Sequence, residues 1–213
     1  MRQVFLAAAV LCGMASQASA QDRFSPIPPD QLTPEQKRLA DAILSGPRAS
    51  TGPRSATLDG PFNVWLRSPE VGDRLQRVGE QLRFRTSIPA ALNEFAILIT
   101  AREWSSQYEW NAHHRLAMQA GLPAPVAAEL AQGRRPEGMT DDQRIVYEFC
   151  TQLHRDHFVS DAAFDAVKAR FGEQGVVDLI AVSGYYVAVS MTLNAGRVGL
   201  PAGVSPPLPD LKR

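Results

Sequence analysis

The segment PAALNEFAILITAREWSSQYEWNAHHRLAMQAGLP, residues 89–123, has no glycine or proline between Pro89 and Gly121. A proline in the first turn is compatible with the start of a helix, and a glycine followed closely by a proline is typical of a helix end. The segment therefore predicts one long α-helix over 89–121, and it favours a helical fold.

Four ionisable residues fall on one side of this predicted helix. At about 100° per residue, a sector of roughly 100° contains four of them: Glu94, Arg102, Glu109 and His113. Apolar residues such as Ile97 lie beside the same face, so we expect the charged groups to be partly buried and paired with one another. A buried ion-pair network and a proton-transfer pair of Glu109 and His113 both fit this spacing.

The sequence contains no recognisable metal site. Glu109-x-x-x-His113 is not the two-histidine motif of zinc metalloproteases. His154 and His157 are spaced i, i+3, but no third ligand is identifiable, and His157 is expected to pack in the core or at an interface. We therefore predict no metal and no cofactor.

Acid/base catalysis is the chemistry that remains, because no activated nucleophile is identifiable. The chain has two cysteines, Cys12 and Cys150. Cys150 follows the apolar side of its predicted helix, where a thiol is usually an inert small hydrophobe. No Gly-x-Ser-x-Gly elbow, P-loop or dinucleotide fingerprint occurs.

The rest of the chain also has helical patterns. Helix starts are predicted by capping boxes at Thr33 and Thr140, by Ser68-Pro69 and by Ser160. The last predicted helix, which follows Gly172, is apolar around most of its circumference and is expected to lie in the core or at a subunit interface. Strand-like alternation is absent, so we predict an all-α bundle of about seven helices.

A long segment without periodicity, GPRASTGPRSATLDGP, occupies residues 46–61. Structureless segments of this length are often binding loops, so Arg48 and Arg54 are candidate substrate-binding residues. A solvated connector is the alternative.

The first residues match a secretory signal. Arg2 precedes an apolar run, and Ala18-Ser19-Ala20 fits a signal-peptidase site. We expect a signal peptide over 1–20, an extended arm over 21–32, a helical domain over 33–200 and a Pro-rich tail over 201–213. The protein is therefore expected to be periplasmic or secreted, without a membrane anchor.

The charge balance argues against some partners. The chain has 22 basic and 22 acidic residues and no Lys/Arg-rich run. No electrostatic footprint for nucleic acid or for an anionic membrane surface is present. A small-molecule substrate is the expected partner.

Several motifs together resemble the carboxymuconolactone decarboxylase family: GPR, GPFNVWLRSPE, LRFRTSIP, NEFAILITARE and YEWNAHH. The resemblance covers about residues 40–200 and implies an all-α fold of the alkyl hydroperoxidase D-like type and a homo-oligomer. Peroxidatic relatives carry a Cys-x-x-Cys pair followed by a histidine, whereas this chain has Glu109, Trp110 and His113 there without a cysteine. The lactone decarboxylases work without metal or organic cofactor.

The resemblance implies a catalytic role for Glu109 and His113, which match the family's helix positions. It also implies that a GPR loop, with Arg48 or Arg54, supplies a cation for the substrate. The full set of candidate substrate-binding residues is Arg48, Arg54, Glu94, Arg102 and Trp110.

Three functional interpretations remain open. The first is an acid/base lyase or isomerase that acts on a small carboxylated or lactone-like compound. A muconolactone is not the expected physiological substrate, because those decarboxylases act inside the cell and this chain is expected to be exported. The second is a redox-related protein that lost its thiols, and the third is a non-catalytic oligomeric binding protein.

Overall fold

The computed structural model describes residues 22–50 and 58–209. Within these ranges the chain forms eight α-helices and no strand, so the predicted all-α bundle is confirmed. The helices are α1 (Pro34–Ser45), α2 (Pro61–Trp65), α3 (Pro69–Phe84), α4 (Ala90–Glu103), α5 (Gln107–Gln119), α6 (Ala124–Ala131), α7 (Asp141–Arg155) and α8 (Asp161–Gly196). The predicted signal peptide and Arg54 lie outside the described residues.

Local capping signals begin three helices where the sequence predicted them. Thr33 and Thr140 each form a complete capping box, with Gln36 and Gln143 as the reciprocal partners. The Ser160 hydroxyl accepts the Ala163 backbone N–H at the start of α8. Such caps satisfy backbone donors that would otherwise have no partner, and they depend only on residues three apart in the chain.

The prediction of a single long helix over 89–121 is wrong. α4 ends at Glu103 and α5 begins at Gln107, and Ser105 between them has a left-handed backbone with φ 47°. The Ser106 N–H still bonds to the Ala101 carbonyl oxygen at 2.9 Å, so the chain turns sharply without leaving this backbone group unpaired. The four ionisable residues therefore belong to two helices and do not share one helical face.

Two further boundaries differ from the prediction. The short helix α2 was not predicted and follows the segment that was expected to be a loop. The two last predicted helices merge into α8, with a break at Gly172, whose φ of 73° is not helical. The helix end that the sequence predicted at Gly172 is therefore a kink within α8.

α4 is the centre of the core. All of its residues from 92 to 102 are buried, and it packs against α5, α7 and α8. A helix that neighbours surround on all sides has no polar face, so it shows no amphipathic pattern. The charged residues that α4 carries are therefore buried along with its apolar ones.

α8 is the second large core element. It packs against both α4 and α7. By length and composition alone it could cross a membrane, and half of its most apolar window is buried in the protein. Core helices of globular proteins satisfy the same criterion.

Candidate active site

The imidazole of His113 lies between two carboxyl groups. His113 Nδ1 is 2.6 Å from Glu94 Oε2, and His113 Nε2 is 3.0 Å from Glu109 Oε1. All three residues are almost fully buried, with exposed fractions of 8% for Glu94, 4% for Glu109 and 5% for His113. We call these residues the Glu–His–Glu cluster.

The two contacts determine the protonation state of the ring. A neutral imidazole has one N–H and one lone pair, whereas a carboxylate only accepts hydrogen bonds. With a carboxylate at each nitrogen, only the doubly protonated ring donates on both sides. Burial disfavours the charged ring and is the largest single effect, but Glu94 and Glu109 together outweigh it and raise the pKa of His113 to about 9. His113 is therefore an imidazolium at neutral pH.

The cluster is assembled by packing between helices. Glu109 and His113 are one turn apart on α5, which brings their side chains together locally. Glu94 comes from α4, 19 residues earlier in the chain. It reaches His113 because the turn at Ser105 allows α5 to pack against α4.

Three tyrosines lie near the cluster, and the sequence analysis did not identify them. The ring of Tyr186 packs edge-to-face on His113, with centroids 5.0 Å apart, and Tyr185 packs edge-to-face on Tyr186. Tyr108 is the residue next to Glu109. Burial raises the pKa of Tyr108 and of Tyr185 to about 12, with a smaller contribution from the negative charges of Asp59 and Glu109 at Tyr108 and of Glu109 at Tyr185. Burial also raises the pKa of Tyr186 well above its usual value.

The three phenols are therefore neutral hydrogen-bond donors at physiological pH. The signal that could have located two of them was the Tyr185-Tyr186 pair in an otherwise apolar helix. Nothing in the sequence, however, placed that pair next to α5.

Arg48 lies on the tyrosine side of the cluster. Its guanidinium is 5.3 Å from the Phe62 ring centroid and is near the Tyr185 hydroxyl, whose pKa it lowers against the larger effect of burial. Gly79 leaves room for this arrangement, because a Cβ there would collide with both the tyrosine hydroxyl and the guanidinium. Arg48 is thus separated from His113 by the Tyr185 and Tyr186 rings.

Arg102 and Trp110, two other candidate residues, are directed away from the cluster. The Arg102 guanidinium lies against Gly133, and a Cβ added at Gly133 would be 3.0 Å from Arg102 Nη2. Arg102 is buried, and its side chain makes no ion pair or hydrogen bond within residues 22–50 and 58–209. Trp110 stacks on His114 with ring centroids 6.1 Å apart.

Two cavities in the described part of the structure do not include the cluster. One, of about 90 Å³, lies between the N-terminal arm and α1. The other, of about 240 Å³, is lined by Trp110 and His114 of α5 and by residues of α6. Neither Glu109 nor His113 lines either cavity.

The described part of the chain includes the two histidines that the sequence analysis considered as a possible metal pair, His154 and His157. No group of three or more His, Cys, Asp or Glu side chains there is arranged to hold a metal. His154 Nε2 is 2.9 Å from the Thr100 hydroxyl oxygen. His157 is exposed beyond the end of α7, so it does not pack in the core of this chain, and its expected place at an interface stays a prediction.

Cys150 is fully buried. Burial raises the pKa of its thiol to about 12, although a hydrogen bond from the Ser183 hydroxyl partly opposes this. The thiolate is therefore scarce at neutral pH.

A search of solved structures finds a similar fold in a protein of unknown function from Agrobacterium tumefaciens, for which a role as the antioxidant defence protein AhpD has been suggested. The two chains are 15% identical with a TM-score of 0.56, and the match covers 68% of this chain and 99% of that chain. At this identity the likeness concerns the fold alone, which is AhpD-like. No protein-family model and no curated protein matches the chain.

Proposed function

We propose that the protein is a cofactor-independent acid/base enzyme that decarboxylates or isomerises a small carboxylated or lactone-like compound. The observation that supports this most directly is the buried imidazole of His113, whose two nitrogens are 2.6 Å from Glu94 and 3.0 Å from Glu109. A proton donor and a proton acceptor in contact, away from bulk water, are the two groups that such reactions need.

The two ring nitrogens would have different roles. The 2.6 Å hydrogen bond from Nδ1 to Glu94 orients the ring and favours its charged form. Nε2, at 3.0 Å from Glu109, makes the longer contact and carries the proton that moves. Because Glu109 and His113 are almost fully buried, the proposal requires the Glu109 side chain to move aside as the substrate approaches.

In a decarboxylation, the carbon–carbon bond to the carboxylate breaks, CO₂ leaves, and the electron pair remains on the substrate as an enolate. His113 Nε2–H then protonates the substrate carbon, and solvent returns a proton to the ring. In an isomerisation, Glu109 removes a proton from a carbon next to a carbonyl group, and His113 delivers one elsewhere. The neutral phenol of Tyr186, whose ring packs edge-to-face on His113, is suited to donate a hydrogen bond to the enolate oxygen.

A thiol-dependent peroxidase is the competing function, because the AhpD-like fold is compatible with it. That chemistry needs a reactive thiolate and a second thiol to resolve it. Cys150 is buried with a raised pKa, and it is the one cysteine in the described ranges. The geometry therefore favours acid/base chemistry.

The test is a proton-exchange assay that does not need the physiological substrate. The purified protein is incubated in D₂O with a panel of small carboxylated lactones and β-keto acids, and NMR follows CO₂ loss and deuterium incorporation next to the carbonyl group. We expect one or more compounds to react, and the His113→Asn variant to be inactive. Equal exchange by the wild type and His113→Asn, or no exchange with any compound, would contradict the proposal.

We also propose that the protein is exported and cleaved before Gln21, on the basis of Arg2 and Ala18-Ser19-Ala20. N-terminal sequencing of the protein from a periplasmic or culture fraction is expected to begin at Gln21. A protein with an intact Met1 in the cytosol contradicts this.

A symmetric homo-oligomer is the third part of the proposal. α8 exposes Val177, Ile180 and Met191 on one side, and Asp178 is the only charged residue between Glu173 and Arg197. Exposed apolar faces of this kind are usually covered by a partner. Light scattering at micromolar concentration should give at least twice the monomer mass, and Ile180→Glu should reduce it; a wild-type monomer contradicts the proposal.

A further inference from the structure

A continuous apolar stripe runs along the outer side of α8. The helix is uninterrupted over 173–196, and at about 100° per residue its buried residues fall on the side opposite to the stripe. Three large apolar side chains in the stripe are exposed, Val177 by 62%, Ile180 by 47% and Met191 by 49%. Small or half-buried residues occupy the positions between and beyond them: Ala181, Gly184, Val187, Ala188 and Ala195. We call these eight residues the α8 stripe.

The α8 stripe contains no charged side chain. The one charged residue between Glu173 and Arg197 is Asp178, and it lies about 120° around the helix from Gly184. The Asp178 carboxylate accepts hydrogen bonds from the backbone N–H and the hydroxyl of Ser87, both at 2.7 Å. An uncharged, largely apolar surface therefore extends along about five helical turns, and a surface of this kind marks an interaction site.

The α8 stripe is symmetric about Gly184. Val177 and Met191 are each seven residues from this glycine, and Ile180 and Ala188 are each four residues from it. A two-fold axis at Gly184 that pairs α8 with α8 of a second copy, in the antiparallel direction, brings Val177 against Met191 of the partner subunit. The same axis brings Ile180 against Ala188 of the partner subunit. An interface between identical chains requires this self-complementarity, so a second copy of the chain is the occupant that fits the stripe.

Gly184 leaves room for close approach at the centre of the α8 stripe. A Cβ added there would meet no atom of the described chain within 4 Å beyond its own helical turn, so packing inside the chain does not require a glycine at this position. Glycine within a helix is unfavourable relative to alanine. The distance between two packed helices depends on the side chains at their contact, so a residue without a side chain lets two copies of α8 come close together.

The charges at the two ends of the α8 stripe favour the antiparallel direction. Glu173 is exposed at the N-terminal end, where it also pairs with Lys168 at 2.9 Å. Arg197 is exposed at the C-terminal end. An antiparallel pair brings Glu173 to the same end as Arg197 of the partner subunit, at both ends of the contact. A parallel pair would instead bring like charges together, which is unfavourable.

We propose that the α8 stripe is the interface of a two-fold symmetric dimer, in which α8 of each copy packs antiparallel against α8 of the other and the two helices cross at Gly184. Removal of Val177, Ile180 and Met191 of both copies from water provides the driving force. This inference rests on the proposed homo-oligomer, and it adds which surface forms the contact and in which direction the two helices run.

Cysteine cross-linking tests the contact and its direction. The variants are made in a chain with Cys12→Ser, in which the buried Cys150 is the only other cysteine. Under mild oxidation with copper phenanthroline, Gly184→Cys should give a covalent dimer on a non-reducing gel, because its two copies meet at the two-fold axis. Val177→Cys should give none, because the antiparallel direction places its two copies 14 helical positions apart, or about 21 Å.

Gly184→Leu tests the close approach of the two helices. Its added Cβ meets open space within the described chain, so the variant should remain folded, whereas a leucine at the crossing point holds the two helices apart. Analytical ultracentrifugation should show a dissociation constant that is raised by about tenfold or more. The matched control is Gly138→Leu, whose added Cβ also has no atom within 4 Å and lies outside the α8 stripe. It should leave the dissociation constant unchanged, and a thermal melt verifies that both variants are folded.

The outcomes distinguish this interface from the oligomer itself. A wild-type monomer at micromolar concentration overturns both, and if that monomer co-sediments with phosphatidylcholine vesicles, the occupant of the α8 stripe is a lipid surface. An oligomer in which Gly184→Cys forms no covalent dimer, or in which folded Gly184→Leu associates as the wild type does, overturns the interface and leaves the homo-oligomer standing. A covalent dimer of Val177→Cys overturns the antiparallel direction.

Discussion

His113 Nδ1 donates a 2.6 Å hydrogen bond to Glu94 Oε2, across 19 residues of sequence and between two helices. The same ring contacts Glu109 from its own helix. One cation thus holds two buried carboxyl groups that would otherwise repel each other, and it links the centre of the core to α5. The same three side chains form the proposed catalytic site and connect two helices of the core, so variants are needed to distinguish a catalytic role from a structural one.

Glu109→Gln should lower turnover by about 10² or more, because a neutral amide cannot take up a proton. The amide is nearly isosteric and remains next to His113, so the melting temperature should change little. The deuterium-exchange assay measures the first effect and calorimetry the second. Glu70→Gln, an exposed change on α3, is the control and should alter neither. A Glu109→Gln variant that keeps its turnover but loses stability would identify the cluster as structural.

The pKa of His113 should be about 9. NMR can measure it from the chemical shift of the Hε1 proton as the pH is changed. The unfolded-state pKa is about 6.5, so the folded-state pKa is raised. The stability that the imidazolium contributes is then fully present below about pH 6.5 and is lost as the pH rises through 9. The melting temperature should fall over this interval in the wild type and less in His113→Gln. A His113 pKa near 6.5 would contradict the placement of this ring between the Glu94 and Glu109 carboxylates.

Cys150 should be unreactive in the folded protein, because burial keeps it a thiol. In protein that lacks residues 1–20, a colorimetric thiol reagent should detect no thiol before unfolding and one after it. Cys150→Ser should retain the exchange activity. Rapid labelling of the native protein, or loss of activity in a folded Cys150→Ser variant, would instead support a thiol-dependent redox function.

Gly133→Ala should destabilise the fold by about 1–2 kcal/mol. The backbone there has φ 70°, and the new Cβ would be 3.0 Å from Arg102 Nη2. Gly138→Ala is the matched control, since no atom lies within 4 Å of its added Cβ. Urea unfolding compares the two variants. Equal stability of the two variants would contradict both the backbone strain at φ 70° and the close contact with Arg102.

The starts of the helices were predictable because capping is local. Thr33, Thr140 and Ser160 each bond to a residue three positions later, so a short window of sequence contains the whole interaction. The contact of Glu109 with His113 is local for the same reason, since one helical turn separates them. The helix starts predicted at Thr33, Thr140 and Ser160 were therefore confirmed.

The break at Ser105 was not predictable, because two serines are tolerated both in helices and in turns. Ser105 has a left-handed backbone, and the helices on either side of it, α4 and α5, pack against each other. This break also invalidated the helical-sector argument that grouped Arg102 with the other charged residues. Glu94 is nevertheless in contact with His113, because α4 packs against α5 and not because the two residues share a face of one helix.

The sequence by itself determined an all-α chain, its main capping signals and the Glu109–His113 pair. Only the tertiary structure decided that Glu94 joins them, that Tyr185 and Tyr186 cover the ring, and that Arg102 lies against Gly133 instead. The physical reason is that periodicity specifies which residues share a face of one helix, whereas the contact of two helices depends on the turn between them and on the close packing of the whole core.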